Sequence, residues 1–191
     1  MTAATLLRCW AVVLLAGLPV IAATLPAMAA VAEPPGLWTG PMVGETPATL
    51  QGATVIDVPA LELLLEGQVL LIDVGKAARR PDNLPEDTLW KPVHRSIPGA
   101  VWFPGGGGGD LSPEQAQALL GRIDELAKGD KDTVLVTFCK PSCWGSWNLG
   151  KRLVEAGYRK VHWLPAGIDG WQEFHDAVPV QPQPGWPPAD D

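Results

Sequence analysis

The chain has little cysteine, tyrosine, histidine or basic charge. Three cysteines, one tyrosine and three histidines stand among 191 residues. So few thiols cannot build a disulfide scaffold, and stability has to come from a hydrophobic core, which a chain of this length can bury. Cys139 and Cys143, taken with His162 and His175, lack a recognised zinc spacing, so no metal site is expected. Lys and Arg total 14 against 21 Asp and Glu, a formal net charge of −7. That balance argues against nucleic-acid and anionic-lipid partners. What is plentiful is glycine (21), proline (20) and tryptophan (9).

The first residues differ from the rest. Met1–Arg8 carries one positive charge, Cys9–Leu25 is apolar but broken by Gly17 and Pro19, and Ala27-Met28-Ala29 places small residues where a signal peptidase reads. This order predicts a cleaved secretory signal over residues 1–29 and a periplasmic location. The breaks argue against an uncleaved anchor, and no lipobox precedes a cysteine near the cut. Cleavage removes Arg8, the one charge of the segment, and takes the net charge from −7 to −8. Cys139 and Cys143 then face an oxidising compartment, as one local switch or one local staple.

Residues 30–52, rich in Pro, Gly and Thr, read as an extended arm with Trp38 as its large anchor. Residues 53–177 read as one domain and 178–191 as an irregular Pro-rich tail. Short strands are expected at 53–58, 97–102 and 161–164. Continuous apolar runs at 69–74 and 133–138 predict strands buried on both faces. Helices are expected over 59–66, from Ser112, over 146–156 and from near Asp169. Ser112-Pro113-x-Gln115 has the capping-box pattern. Ser146 and Asn148 are expected to cap the third helix. Gly105–Gly109 reads as a flexible surface loop. Alternation of strand and helix predicts an α/β domain, a mainly parallel sheet covered on both faces in three layers.

Cys139 directly follows the strand at 133–138, where ligand sites of open α/β sheets lie. The loop Cys139-Lys140-Pro141-Ser142-Cys143-Trp144-Gly145-Ser146 leads into a helix. Free loop N–H groups and the helix dipole would stabilise a thiolate there and hold a small anionic sulfur compound. Lys140, Ser142, Trp144, Gly145, Ser146 and Arg95 are the candidate binding residues, with Lys151 and Arg152 adding local positive charge. A spacing of four makes a Cys139–Cys143 bridge possible without assuring it. Asp73, at the end of a buried strand, is expected to cap loop N–H groups.

Four segments resemble the rhodanese family: Leu71-Ile72-Asp73-Val74, Ile97-Pro98-Gly99-Ala100, the junction Phe138-Cys139, and Leu164-Pro165-Ala166-Gly167-Ile168-Asp169-Gly170-Trp171. The resemblance runs from about Ala53 to Phe174. It implies a rhodanese-like fold and Cys139 as the residue that would carry a persulfide in sulfur transfer. The chain departs from the family pattern at Gly75, where Arg is common, at Ser96, where His is usual (here His94 stands two residues earlier), and at Ser142 and Trp144, where Gly and Arg are common. These departures point to weak thiosulfate turnover. The run Cys139-x-x-x-Cys143-Trp144-x-Ser146-Trp147-Asn148, with Lys151-Arg152 and Gly157-Tyr158, is similar to exported proteins of the PQQ-dependent catabolism-associated CXXCW-motif group. That likeness implies a periplasmic protein encoded beside quinoprotein alcohol dehydrogenases and cytochromes c, which are its expected partners. Nothing in it implies that the chain binds PQQ, and no cofactor is expected. Three functions stay open: sulfur transfer through Cys139, thiol–disulfide chemistry with Cys139 attacking and Cys143 resolving, and a non-catalytic partner or maturation role.

Overall fold

The computed structural model describes residues 31–186. The expected signal segment and residues 187–191 lie outside the described residues. In chain order the elements are β1 (Thr54–Val55), α1 (Val58–Leu65), β2 (Val69–Asp73), β3 (His94–Ser96), β4 (Val101–Trp102), α2 (Pro113–Leu126), β5 (Val134–Phe138), α3 (Trp144–Glu155), β6 (Val161–Trp163), α4 (Gly167–Gln172) and β7 (Val178–Val180).

Five strands form a parallel sheet in the order β1-β6-β5-β2-β4. The two apolar runs, β2 and β5, pair over their full length at its centre. Neighbouring residues of a strand point to opposite faces, and the core divides accordingly. Ile72 and Leu135 pack on one side with Leu119 and Ile123 of α2 and Leu149 and Leu153 of α3. Leu71, Val136 and Phe138 pack on the other with Leu61 of α1 and Ile168 and Trp171 of α4. The result is the expected three-layer α/β arrangement, and each fully buried Leu or Ile contributes about 1.5–3 kcal/mol.

Local chemistry sets the helix starts. Asp57 caps α1, its carboxylate accepting from the Ala60 N–H at 2.9 Å. Ser112 and Gln115 form a reciprocal capping box at α2, with Pro113 in the first turn. Pro98-Gly99 turns the chain into β4: the Ala100 N–H donates to the Ile97 carbonyl, and Gly99 has φ +84°, which glycine adopts without strain.

Three expectations are corrected. Residues 178–180 form β7, antiparallel to β3 in a separate two-stranded sheet. The tail beyond stays ordered through Trp186, whose indole N–H donates to the Pro104 carbonyl while its ring packs edge-on against Phe103. The glycine run is not a free surface loop: Gly106 and Gly107 are buried. A Cβ at Gly107 would stand 2.1 Å from the Gly145 carbonyl oxygen, and one at Gly109 1.9 Å from the Trp38 carbonyl oxygen. Glycine is needed there because backbone packs directly on backbone. Finally, α3 starts at Trp144 with Cys143 in the cap position and no side-chain cap, so Ser146 and Asn148 lie within the helix and are buried.

Candidate functional site

β5 ends at Phe138 in the middle of the sheet and delivers Cys139 to the strand tip. The Cys139 carbonyl accepts from the Ile168 N–H at 2.7 Å, opening α4. Gly167, at φ +55°, allows this approach, since a Cβ there would stand 2.2 Å from that carbonyl oxygen. Cys139 and Cys143 are joined as a disulfide, their Cα atoms 6.4 Å apart. The two sulfurs are unequal: Cys139 is 1% exposed, whereas Cys143 is only partly buried. Of the two cysteines, Cys143 is the more exposed residue.

The segment 31–50 crosses this loop. Val43 bridges Cys143 in antiparallel fashion, the Gly44 N–H donates to the Ser142 carbonyl, and the Trp144 N–H donates to the Met42 carbonyl. Trp38 stacks on Trp144 with ring centroids 4.4 Å apart, and Trp144 meets Trp147 edge-on at 5.5 Å. Asn148 ties the layers together. Its carbonyl oxygen accepts from the Trp38 N–H at 2.8 Å, and its amide donates to the Trp38 and Gly107 carbonyls at 2.9 and 3.0 Å. The Trp147 indole donates to the Thr49 carbonyl.

Ser146, in the first turn of α3, points back at the bridge. Its Oγ lies 3.2 Å from Cys139 Sγ and 3.3 Å from the Cys143 carbonyl oxygen, and accepts from the Trp163 indole N–H at 3.0 Å. The carbonyl oxygens of Lys140 and Cys143 also stand 3.7 and 3.6 Å from Cys139 Sγ.

Beside the loop, at the end of β2, Asp73 is buried. Its carboxylate accepts from the Gly75 N–H at 2.7 Å, the Ser96 hydroxyl at 2.6 Å and His94 Nε2 at 2.7 Å. Burying a carboxylate demands such partners. His94 stacks on Trp102 with centroids 3.8 Å apart. A Cβ on Gly75 would stand 3.2 Å from the His94 ring, so Gly75 makes room for the imidazole. His94 and Ser96, two apart on a strand, share the face toward Asp73.

The structure thus brings Cys139, Cys143, Gly145 and Ser146 together, and it relocates other candidates. Arg95 faces the opposite side of β3 and donates to the carbonyl of Ala177, just before β7, which leaves the loop without this guanidinium. Trp144 is buried, packed between Trp38 and Trp147. The Trp144 N–H, expected to face an anion, is taken by the arm. Lys140 and Ser142 are exposed at the rim, with Ser142 in the left-handed region at φ +54°. Lys151 donates to the Pro34 carbonyl and lies over the Trp147 ring. Arg152 donates to the Gly108 carbonyl, and burial lowers the pKa of its guanidinium. Both cations pin the arm or the glycine run and do not face the loop. Sequence reasoning missed the Asp73–His94–Ser96 cluster, whose signal was the two-residue spacing on a strand, and the Ser146–Trp163 contact, which only tertiary structure creates.

The Rhodanese-like domain family model matches residues 59–174, and the chain belongs to that family. Among solved structures it is similar to a thiosulfate sulfurtransferase of Pseudomonas aeruginosa (21% identity, TM-score 0.44, covering 68% of this chain and 21% of that one). It is also similar to a human single-domain sulfurtransferase (23%, 0.39, covering 65% and 99%) and to the polysulfide-sulfur transferase of Wolinella succinogenes (23%, 0.40, covering 66% and 79%). The chain spans about a fifth of the first of these proteins. No curated protein matches it.

Proposed function

We propose that this rhodanese-like protein works by thiol–disulfide exchange, cycling Cys139 and Cys143 between disulfide and dithiol in the periplasm, in association with PQQ-dependent quinoprotein alcohol catabolism. The observation that carries the chemistry is the bridge itself, with Cys139 buried and Cys143 only partly buried. Attack enters at Cys143, and Cys139 leaves; this reverses the roles expected from the strand-tip position of Cys139. The cellular setting rests on the secretory pattern of residues 1–29 and on the likeness to the CXXCW-motif group. A quinoprotein dehydrogenase or a cytochrome c in the same compartment is the proposed partner.

A second reading, persulfide transfer on Cys139, is favoured by family membership and by the place of Cys139 at the strand tip. It requires an open bridge, because the sulfur that would take the sulfane atom is already bonded. Mass spectrometry of protein isolated from the periplasm separates the readings. Loss of two hydrogens between the cysteines supports exchange, and one extra sulfur atom on Cys139 supports transfer. Strong thiosulfate:cyanide activity kept in Cys143→Ser contradicts exchange. Two free thiols inert to oxidants leave a non-catalytic partner role.

A further inference from the structure

The exchange reading leaves open how a buried cysteine accepts the charge of a departing thiolate. We propose that Ser146, held in place by the Trp163 indole, is the positioning residue that receives the Cys139 thiolate when the bridge opens. The inference rests on the exchange reading and goes further, because it assigns roles to two side chains outside the cysteine pair.

A thiolate in the position of Cys139, 1% exposed, is costly without donors. Its surroundings oppose the charge in part: the Lys140 and Cys143 carbonyl oxygens at 3.7 and 3.6 Å favour S–H over S⁻. Ser146 supplies the contrary pull. The Trp163 N–H occupies one lone pair of Ser146 Oγ and so turns the hydroxyl proton toward the loop. Two acceptors are in reach, the Cys143 carbonyl at 3.3 Å and Cys139 Sγ at 3.2 Å. In the disulfide the sulfur is a weak acceptor and the carbonyl takes the proton. Once Cys139 carries the electron pair, a charge-assisted bond to sulfur is the stronger choice. A rotation of one hydroxyl then tracks the redox state. The start of α3, a twelve-residue helix, adds its dipole in the same direction.

A thiolate of a dithiol protein attacks Cys143 Sγ and forms a mixed disulfide. The Cys139–Cys143 bond breaks, and its electron pair stays on Cys139. Ser146 keeps its proton and donates a hydrogen bond. The partner's second thiolate then attacks the partner sulfur of the mixed disulfide and releases Cys143 as a thiolate. Two electrons have moved, the partner holds the disulfide, Cys139 stays a thiolate held by Ser146, and the protons of the partner's thiols go to Cys143 and to solvent.

Ser146→Ala and Trp163→Phe test this in the full chain, equilibrated with dithiothreitol redox buffers at fixed pH. Loss of a hydrogen bond to a charged group should shift the dithiol/disulfide equilibrium of Ser146→Ala about tenfold toward the disulfide, about 30 mV more negative for two electrons. Trp163→Phe should move it the same way by less. A purely structural role would lower the melting temperature and leave the equilibrium alone, and that outcome in folded variants overturns the assignment. Should Ser146→Ala not fold, Trp163→Phe decides on the same criterion. A wild-type bridge that does not respond to dithiothreitol in the folded protein overturns the relay and the exchange reading together. A responsive wild type with unshifted variants removes the relay alone.

Discussion

Replacing Asn148 by Leu should loosen the arm, weaken the fold and expose the bridge. Asn148 is fully buried and makes three hydrogen bonds, one from the Trp38 N–H and two to the Trp38 and Gly107 carbonyls. Leucine keeps much of the volume and removes every donor and acceptor. Each bond is worth about 0.5–1.5 kcal/mol net, and the stranded backbone groups push toward the upper end, so about 2–4 kcal/mol is expected. That is a large part of the 5–15 kcal/mol total typical of a domain. Urea unfolding followed by tryptophan fluorescence gives the midpoint. Limited proteolysis near Trp38 and the rate of bridge reduction by dithiothreitol report the arm separately. The prediction is a lower midpoint with faster cleavage and faster reduction. A midpoint within about 0.5 kcal/mol of wild type, the range of ordinary surface substitutions, with unchanged cleavage, would refute the claim that Asn148 clamps arm, glycine run and helix.

Two further outcomes follow from particular contacts. Gly107→Ala would drive a Cβ to 2.1 Å from the Gly145 carbonyl oxygen; because neither backbone can give way cheaply, a loss of more than about 2 kcal/mol is expected in chemical denaturation, and a neutral result would contradict the packing described. His162 has Nδ1 buried without a hydrogen-bond partner, and burial lowers its pKa from the ordinary 6.5. The unfolded chain therefore binds this proton at higher pH than the folded one, so stability is full above about pH 6.5 and falls as pH drops toward the folded value. His162→Gln should flatten that slope in a series of urea midpoints between about pH 7.5 and pH 5, and an unaltered slope would remove His162 from the account.

Much of the fold was legible because its signals are local. The apolar runs Val69–Asp73 and Val134–Phe138 marked the central strands, Ser112 and Gln115 marked the start of α2, and Pro98-Gly99 marked a turn. The strand-tip position of Cys139 was readable for the same reason. What sequence could not show is long-range. Ser146 has the residue type of a cap but stands in the first turn of α3, where its hydroxyl accepts from the Trp163 indole of β6. Asn148, read as a second cap, is fixed by Trp38, 110 positions earlier. The five glycines suggest mobility until Gly145 and Trp38 are seen to press against them. β7 hid behind Pro179, which suits a short two-stranded sheet and reads as a breaker. The exposure difference between Cys139 and Cys143, on which the proposed direction of exchange rests, arises from how the strand tip is covered and leaves no mark in local composition.

The most direct test treats the oxidised wild-type chain with glutathione, quenches it in acid within the first turnover, and locates the mixed disulfide by fragment-ion mass spectrometry. Glutathione on Cys143, with Cys139 as the released thiol, is the predicted result. Glutathione mainly on Cys139 would contradict the account.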